Sequence, residues 1–343
     1  MNNEIATEDK FMKKLLIATT ALVGTAGVVA ADTTFSGYGR FGILYEQDRG
    51  ATDADPGVAT QEETRLESRY RLNIDSSTET DNGVRFAVRV RIQGDDVSNG
   101  EQGAAGLNGA RLQVNASGLR VRVGNVSGVH DAAEVVNFFG FEPGLIGQVG
   151  HYSTFGGGPI DFYEVRSNGV TGVNVKYEMG DFAVMASYSP DYSENLGIGP
   201  STITGDYEAF EIGASYTISG WTFGVGYGMA EDADAGADSY DTDFWTATAT
   251  GTVGIADLAL FVGDSDSNFT PNDDVAYGIS GSVPVGAATN IVASVAGGGA
   301  DDLDEAYGIG FTHSLGGGVS LSGMVGSNTS SNTVADLGVR FNF

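Results

Sequence analysis

Apolar and polar side chains alternate strictly along the last seven residues of the chain. The apolar positions are Leu337, Val339, Phe341 and Phe343. In a β-strand, this alternation places all four side chains on one face and the residues between them on the other. Such a strand suits a wall with lipid on one side and water on the other. Because an open strand edge cannot be left in lipid, we expect the last strand to pair with the first and close a barrel.

Similar alternation along the rest of the chain predicts sixteen strands. They are joined alternately by tight turns and by longer polar connections. The tight turns are predicted at 80–82, 117–118, 180–181, 219–220, 253–254, 284–286 and 315–317. The longer connections are predicted at 48–62, 95–109, 127–169, 190–206, 231–240, 264–274, 298–304 and 328–332. Short turns at one end, long loops at the other and an even strand number are typical of transmembrane barrels. The sequence therefore predicts an all-β fold, a sixteen-stranded antiparallel transmembrane β-barrel.

The N-terminal region has the features of an export signal. Lys13 and Lys14 precede an apolar run from Leu15 to Val29, and small residues follow at Ala30 and Ala31. This order matches the positive, apolar and cleavage regions of a secretory signal peptide. We expect residues 1–31 to be an N-terminal extension plus a signal peptide, with Met12 as the true start, and residues 32–343 to form the barrel. No later apolar run reaches the length of about twenty residues that a membrane-spanning helix needs.

Composition narrows the choice of partners. The chain has no Cys, so backbone pairing and burial have to hold the fold without disulfides. A formal net charge of -28 disfavours binding to nucleic acid. Clustered Asp and Asn at 232–234, 264–266 and 272–274 offer the oxygen ligands that calcium prefers. Their spacing is not that of an EF-hand, so solvated acidic loops and a structural calcium site both stay open, and no other cofactor is expected.

The strand arginines share one orientation. By parity they lie opposite the apolar faces of their strands, and the candidates are Arg40, Arg69, Arg71, Arg85, Arg89, Arg91, Arg111, Arg120 and Arg122. An arginine facing lipid at the bilayer midplane costs about 2–4 kcal/mol, which explains this direction. It does not explain why the arginines cluster on neighbouring strands, where like charges repel. We therefore expect acidic groups to face them.

The longest connection, 127–169, can supply those acids. Its acidic candidates are Asp131, Glu134, Glu142, Asp161 and Glu164. The connection is also rich in large apolar side chains, which argues against a disordered loop. We expect it to fold into the barrel lumen and to place its acids across the bore from the arginines, where the two walls would create a transverse field. The alternative is that the loop plugs or braces the barrel through these ion pairs.

Both ends of the barrel region and the long third loop resemble the general diffusion porins of Gram-negative outer membranes, most closely those of alphaproteobacteria. The local sequences are Thr34-Phe35-Ser36-Gly37-Tyr38-Gly39-Arg40-Phe41-Gly42 and Gly338-Val339-Arg340-Phe341-Asn342-Phe343. The resemblance implies a homotrimer in which the third loop lines the eyelet. It also implies a basic wall of Arg69, Arg71, Arg85, Arg89, Arg91 and Arg122, facing the five loop acids. The loop departs from the family's usual Pro-Glu-Phe-Gly-Gly, with Phe141-Glu142-Pro143-Gly144 and Phe155-Gly156-Gly157-Gly158 instead.

The function predicted from these features is passive diffusion of small hydrophilic solutes and ions through a water-filled channel. The chain is expected in the Gram-negative outer membrane, in contact with lipid and lipopolysaccharide. A solute-specific channel and a plugged structural barrel are the alternatives. An enzyme is not expected, because the only histidines are His130, His151 and His313, and the proximity of Ser153, His151 and Asp161 within one loop is common by chance.

Overall fold

The computed structural model describes residues 32–50, 59–95, 105–155, 171–190, 207–232, 241–267, 274–301 and 303–343. The predicted extension and signal peptide at 1–31 lie outside these ranges. The described strands form one sheet in which each strand pairs antiparallel with its neighbours. The last strand pairs with the first, with Tyr38 opposite Asn342 and Glu46 opposite Val334. The sheet is therefore a closed barrel, as the alternation predicts.

The strands are β1 (Asp32–Glu46), β2 (Thr64–Glu79), β3 (Arg85–Asp95), β4 (Gly106–Leu107), β5 (Arg111–Ala116), β6 (Leu119–Asn125), β7 (Thr171–Met179), β8 (Phe182–Ser189), β9 (Tyr207–Ile218), β10 (Trp221–Asp232), β11 (Asp241–Val253), β12 (Ala256–Ser267), β13 (Ala276–Pro284), β14 (Thr289–Gly297), β15 (Ala306–Gly316), β16 (Val319–Ser327) and β17 (Thr333–Asn342). One short helix, α1 (Val129–Ala132), follows β6. No helix among the described residues is long and apolar enough to cross a membrane.

Two of the seventeen strands occupy a single position in the barrel. β4 and β5 both pair with β3, through Leu107 opposite Ile92 and Arg111 opposite Arg89. Between them the Asn108 side chain accepts the backbone N–H of Arg91 at 2.7 Å, so the side chain replaces a ladder hydrogen bond at the interruption. The barrel thus has sixteen strand positions, which confirms the predicted number.

The connections alternate in length as the sequence predicts. The short ones are 80–84, 117–118, 180–181, 219–220, 254–255, 285–288 and 317–318. Three of these turns, Ser117-Gly118, Ser219-Gly220 and Gly317-Gly318, have positive φ at both residues. Positive φ at both central residues is the geometry of the two-residue turns that match the twist of antiparallel strands. We refer to the end of the barrel with these turns as the short-turn rim.

The outward face of the barrel is apolar, and its inward face is polar or covered by protein. On β10, Phe223, Val225 and Tyr227 are exposed on the outside. On β11, Trp245 is 42% exposed on the outside, whereas its neighbour Phe244 points inward and is fully buried. The inward Phe244 belongs to an aromatic cluster beneath the loop that follows β6. This contact explains why two large aromatic residues face opposite sides of one strand.

Candidate pore constriction

Residues 126–155 follow β6 and pack along the inner face of the barrel. The first anchor is His130 in α1, which is fully buried. Its backbone N–H donates to Glu211 Oε2 at 2.8 Å, and its ring lies within hydrogen-bond distance of the same oxygen, at 2.5 Å from Nδ1. The other ring nitrogen, Nε2, lies 2.8 Å from Thr246 Oγ1. Because Glu211 and Thr246 face inward from β9 and β11, these bonds fix the start of the loop inside the barrel.

A second anchor is an aromatic cluster around Phe138. Its ring contacts Phe261 of β12 edge-on, with centroids 5.6 Å apart, and Phe155 joins both. His151 stacks on Phe261 with centroids 5.4 Å apart. Burying several aromatic rings together contributes more than their area alone, by about 0.5–1.5 kcal/mol per pair. The cluster therefore holds the loop against β11 and β12.

His151 is held in its neutral form by its surroundings. Its Nε2 donates to the carbonyl of Phe138 at 2.8 Å, so Nδ1 accepts from the Ser280 hydroxyl at 3.1 Å. The same hydroxyl oxygen accepts the backbone N–H of Phe141 at 2.8 Å. Burial lowers the pKa of His151, although hydrogen bonds to backbone groups partly oppose this effect. The ring therefore acts as a neutral connector between the loop and β13.

A third anchor carries the loop as far as the closing strand. The backbone N–H of Leu145 donates to Asp336 Oδ1 of β17 at 2.9 Å. Gly144 has φ +90°, and a Cβ there would lie 2.5 Å from the Asp336 carboxylate, so glycine permits the close approach. The described loop thus lies along the inner wall from β9 to β17. The predicted folding of the long loop into the barrel agrees with these contacts.

Most of the arginines lie on β1, β2 and β3, away from these three anchors of the loop, and several are paired with acids of the wall itself. Arg89 binds Asp75 through two hydrogen bonds of 2.7 and 3.0 Å. Two further pairs are Arg40 with Glu67 at 2.6 Å and Arg69 with Asp95 at 2.9 Å. These three acids are not among the acidic residues predicted from the sequence. Glu67 and Asp75 could have been found, because they have the same parity as Arg69 in β2.

Glu134 does not stand across the bore from the arginines, which corrects the expectation for this residue. Its carboxylate contacts Arg120 at 2.5 Å, Arg122 at 2.9 Å and Lys176 at 3.0 Å. Burial alone raises the pKa of Glu134, but the hydrogen bonds and charges of these partners outweigh it and lower the pKa to about 2. Glu134 therefore fastens the loop to β6 and β7.

The remaining basic candidates all face inward among polar partners. Arg71 donates to Gln93 at 2.5 Å, Arg91 to Asn73 at 2.9 Å and Arg85 to Ser77 at 2.9 Å. Arg111 lines a cavity together with Arg85, Arg89 and Arg122. The structure therefore brings the nine predicted arginines together on β1, β2, β3, β5 and β6. Arg340 of β17 has the parity opposite to Val339 and Phe341, and its guanidinium lies 4.0 Å from the centre of the Tyr38 ring.

The other acidic candidates differ in how far they can be placed. Glu142 is exposed and accepts a hydrogen bond of 3.0 Å from the Tyr152 hydroxyl. Enclosure by the protein raises the pKa of Glu142, an effect that the Tyr152 hydrogen bond and the charge of Arg40 partly oppose. Asp131 lies half-buried in α1. Asp161 and Glu164 lie outside the described residues.

Comparison with known proteins identifies the family. The family model for the Gram-negative porin matches residues 18–333. The chain belongs to the Gram-negative porin family. It is 30% identical to a porin of Fuscovulum blasticum over 329 residues and 26% identical to one of Rhodobacter capsulatus over 344 residues, and each match covers 91% of this chain and 100% of the relative. The solved structure of a triple mutant of Rhodopseudomonas blastica porin is 28% identical in sequence and has a TM-score of 0.70. The match covers 91% of this chain and 100% of the mutant.

Family and fold together place this porin in the outer membrane as a multi-pass barrel that forms a general diffusion channel. Porins are channels rather than enzymes, and the described histidine contacts are consistent with that. Ser153 Oγ accepts the backbone N–H of Gly150 at 2.8 Å, while the bonds of His151 run to Ser280 and Phe138. Among the described residues, no group of three or more His, Asp or Glu could hold a metal ion, and the calcium site stays a prediction.

Proposed function

We propose that the docked loop and the arginines form the constriction of this porin, crossed by a transverse electric field. The observation that carries the proposal is the division of the inner wall. The hydrogen-bonded anchors of the loop on β9, β11, β13 and β17 lie on one part of the wall, whereas six of the nine arginines lie on β1, β2 and β3. Glu134 joins the two parts through Arg120 and Arg122 of β6. Glu142 is the exposed acid of the described loop, and the charge of Arg40 acts on it. Opposite charges on facing walls orient dipolar solutes and disfavour apolar ones.

Single-channel conductance and reversal potential under a KCl gradient test this proposal. We expect Glu142→Gln to conduct but to favour cations less than the unmodified protein, because one negative charge leaves the constriction. The expected fall in the cation-to-anion permeability ratio is on the order of two-fold. Glu305→Gln is the matched control, since it removes the same charge from the exposed connection immediately before β15. Equal reversal potentials for all three proteins would contradict the role of Glu142, and a silent bilayer would favour a plugged barrel.

We also propose that the porin is a homotrimer that contacts its neighbours through β3, β5 and β6. The outward faces of these strands carry short aliphatic side chains apart from Phe86, and they form an apolar groove of about 510 Å³ with the end of β2. Exposed Trp245, Tyr277 and Tyr307 lie on other strands, where aromatic side chains suit contact with lipid and lipopolysaccharide headgroups. The mass of the detergent-purified protein, corrected for bound detergent, should equal three chains. A single-chain mass that also conducts would rule out an obligate trimer.

A further inference from the structure

The arginine-bearing wall contains a cavity of about 840 Å³ near the short-turn rim. Four guanidinium groups line it, from Arg85, Arg89, Arg111 and Arg122. Two carboxylates, Asp32 and Asp75, also line it, and the rest of its polar lining is hydroxyl and amide groups. The cavity is therefore rich in cationic and neutral hydrogen-bond donors. The constriction proposed above does not account for it, because none of the loop acids in the described part of the chain lines it.

The strand register explains why a cavity forms here. Ala87 lies on the inward face between Arg85 and Arg89, opposite Ser77 of β2 and Gln113 of β5. Alternation puts the three β3 residues on one face, so a small side chain separates two long ones. Because the Ala87 side chain is only a methyl group, it leaves open space between the longer side chains of Arg85 and Arg89. The side chains of Arg85 and Arg89 form the sides of the cavity.

Hydrogen bonds hold the guanidinium groups in place before any ligand arrives. Arg89 uses Nε and Nη2 to bind Asp75, and Arg122 uses Nε to bind Gln113 at 2.8 Å and Nη1 to bind Glu134. Arg85 donates from Nη2 to Ser77. Each guanidinium has five N–H groups, so these bonds leave donors for a further acceptor. With four guanidinium groups and two carboxylates, the cavity lining has a formal net charge of +2.

We propose that this cavity is a transient binding site for solutes with two or more negative charges on phosphoryl groups, such as phosphate esters and pyrophosphate. The planar fork of arginine matches phosphate oxygens, and charge-assisted bonds of this kind are about twice as strong as neutral ones. The volume lies within the usual range of small-molecule sites. The inference rests on the proposed function only in that solutes reach the site through the open barrel. Short turns mark the periplasmic end, so the site would hold such anions beyond the constriction.

The test uses inorganic pyrophosphate as the probe and the purified porin in planar bilayers. At about 0.1 M KCl, where charges act over roughly 10 Å, pyrophosphate should reduce the mean current and increase its noise in a concentration-dependent way. Arg85→Gln should raise the half-blocking concentration by about three- to ten-fold, because one charge-assisted contact is lost. Ala87→Glu should raise it at least as much by placing a carboxylate on the cavity floor.

Arg340→Gln is the matched control, because Arg340 is an exposed inward arginine on β17 outside the cavity. It should leave the half-blocking concentration unchanged. An equal shift for Arg340→Gln and Arg85→Gln, or no effect of pyrophosphate on a conducting channel, would overturn the proposal. Isothermal titration calorimetry of the detergent-solubilised proteins with pyrophosphate compares the same variants and does not depend on conduction. Binding that Arg85→Gln weakens would then support the site even if the bilayer were silent, and absent binding would refute it.

Discussion

Replacing Glu134 by Gln is expected to release the start of the loop from the barrel wall. The substitution leaves Arg120, Arg122 and Lys176 close together without the carboxylate that binds all three. The pKa of Glu134 falls from 4.5 to about 2 in the folded protein, and at 1.36 kcal/mol per pKa unit this corresponds to on the order of 3 kcal/mol. Hydrogen exchange of peptides covering 128–136 should therefore become faster at neutral pH, and the channel current should become noisier.

The lowered pKa of Glu134 also predicts that the anchoring of the loop responds to acid. Because the folded pKa of Glu134 is lowered, its contribution to stability is fully present above the unfolded value of 4.5 and is lost as pH falls from 4.5 towards 2. The protection of 128–136, calculated against the intrinsic exchange rate at each pH, should thus fall across this window in the unmodified protein and change little in Glu134→Gln. Glu178→Gln is the control, since Glu178 is 58% exposed and its carboxylate binds Lys176 at 2.6 Å. If both variants exchanged like the unmodified protein, Glu134 would not be an anchor.

The barrel and the direction of its arginines could be predicted because both follow from local alternation. A period of two assigns each side chain to a face, and short turns separate the strands without knowledge of distant contacts. Arg85 and Arg89 were placed inward for this reason, and their contacts with Ser77 and Asp75 agree. The arrangement of the loop was harder, because its partners are distant in sequence. The contact of His130 with Glu211 joins residues 81 positions apart.

The inward-facing glycines show a feature that the local sequence pattern alone could not predict. Sequence analysis can interpret them as residues that leave room in a lumen, yet several lie directly beneath the loop. A Cβ on Gly224 would lie 2.3 Å from the carbonyl oxygen of Val135, and one on Gly226 would lie 2.6 Å from His130 Nε2. The room is therefore filled by protein. The pattern of glycines marks the path of the loop across the wall, but only the folded chain shows what occupies it.

Gly278 gives the sharpest test of this packing. A Cβ on Gly278 would lie 1.8 Å from the backbone oxygen of His151, and real Cβ contacts are essentially never below 3.0 Å. Gly278→Ala should therefore displace the part of the loop around His151 from β13, and overpacking of this kind costs about 1–3 kcal/mol. The ladder of β13 does not depend on the glycine, because Gly278 pairs with Phe261 and Ala296 through its backbone. We expect a barrel that still folds, with altered single-channel conductance and faster hydrogen exchange in 138–155.

Gly286→Ala in the β13–β14 turn is the matched control for this substitution. A Cβ on Gly286 meets nothing within 4 Å, so the same added methyl group should leave conductance and exchange unchanged. The comparison separates loop displacement from a general effect of replacing glycine, because both positions lie in the same hairpin. Unfolding in urea should show a loss of stability for Gly278→Ala alone. If the two variants conducted and exchanged alike, the loop would not rest on β13, and the constriction would have to be formed by another part of the chain.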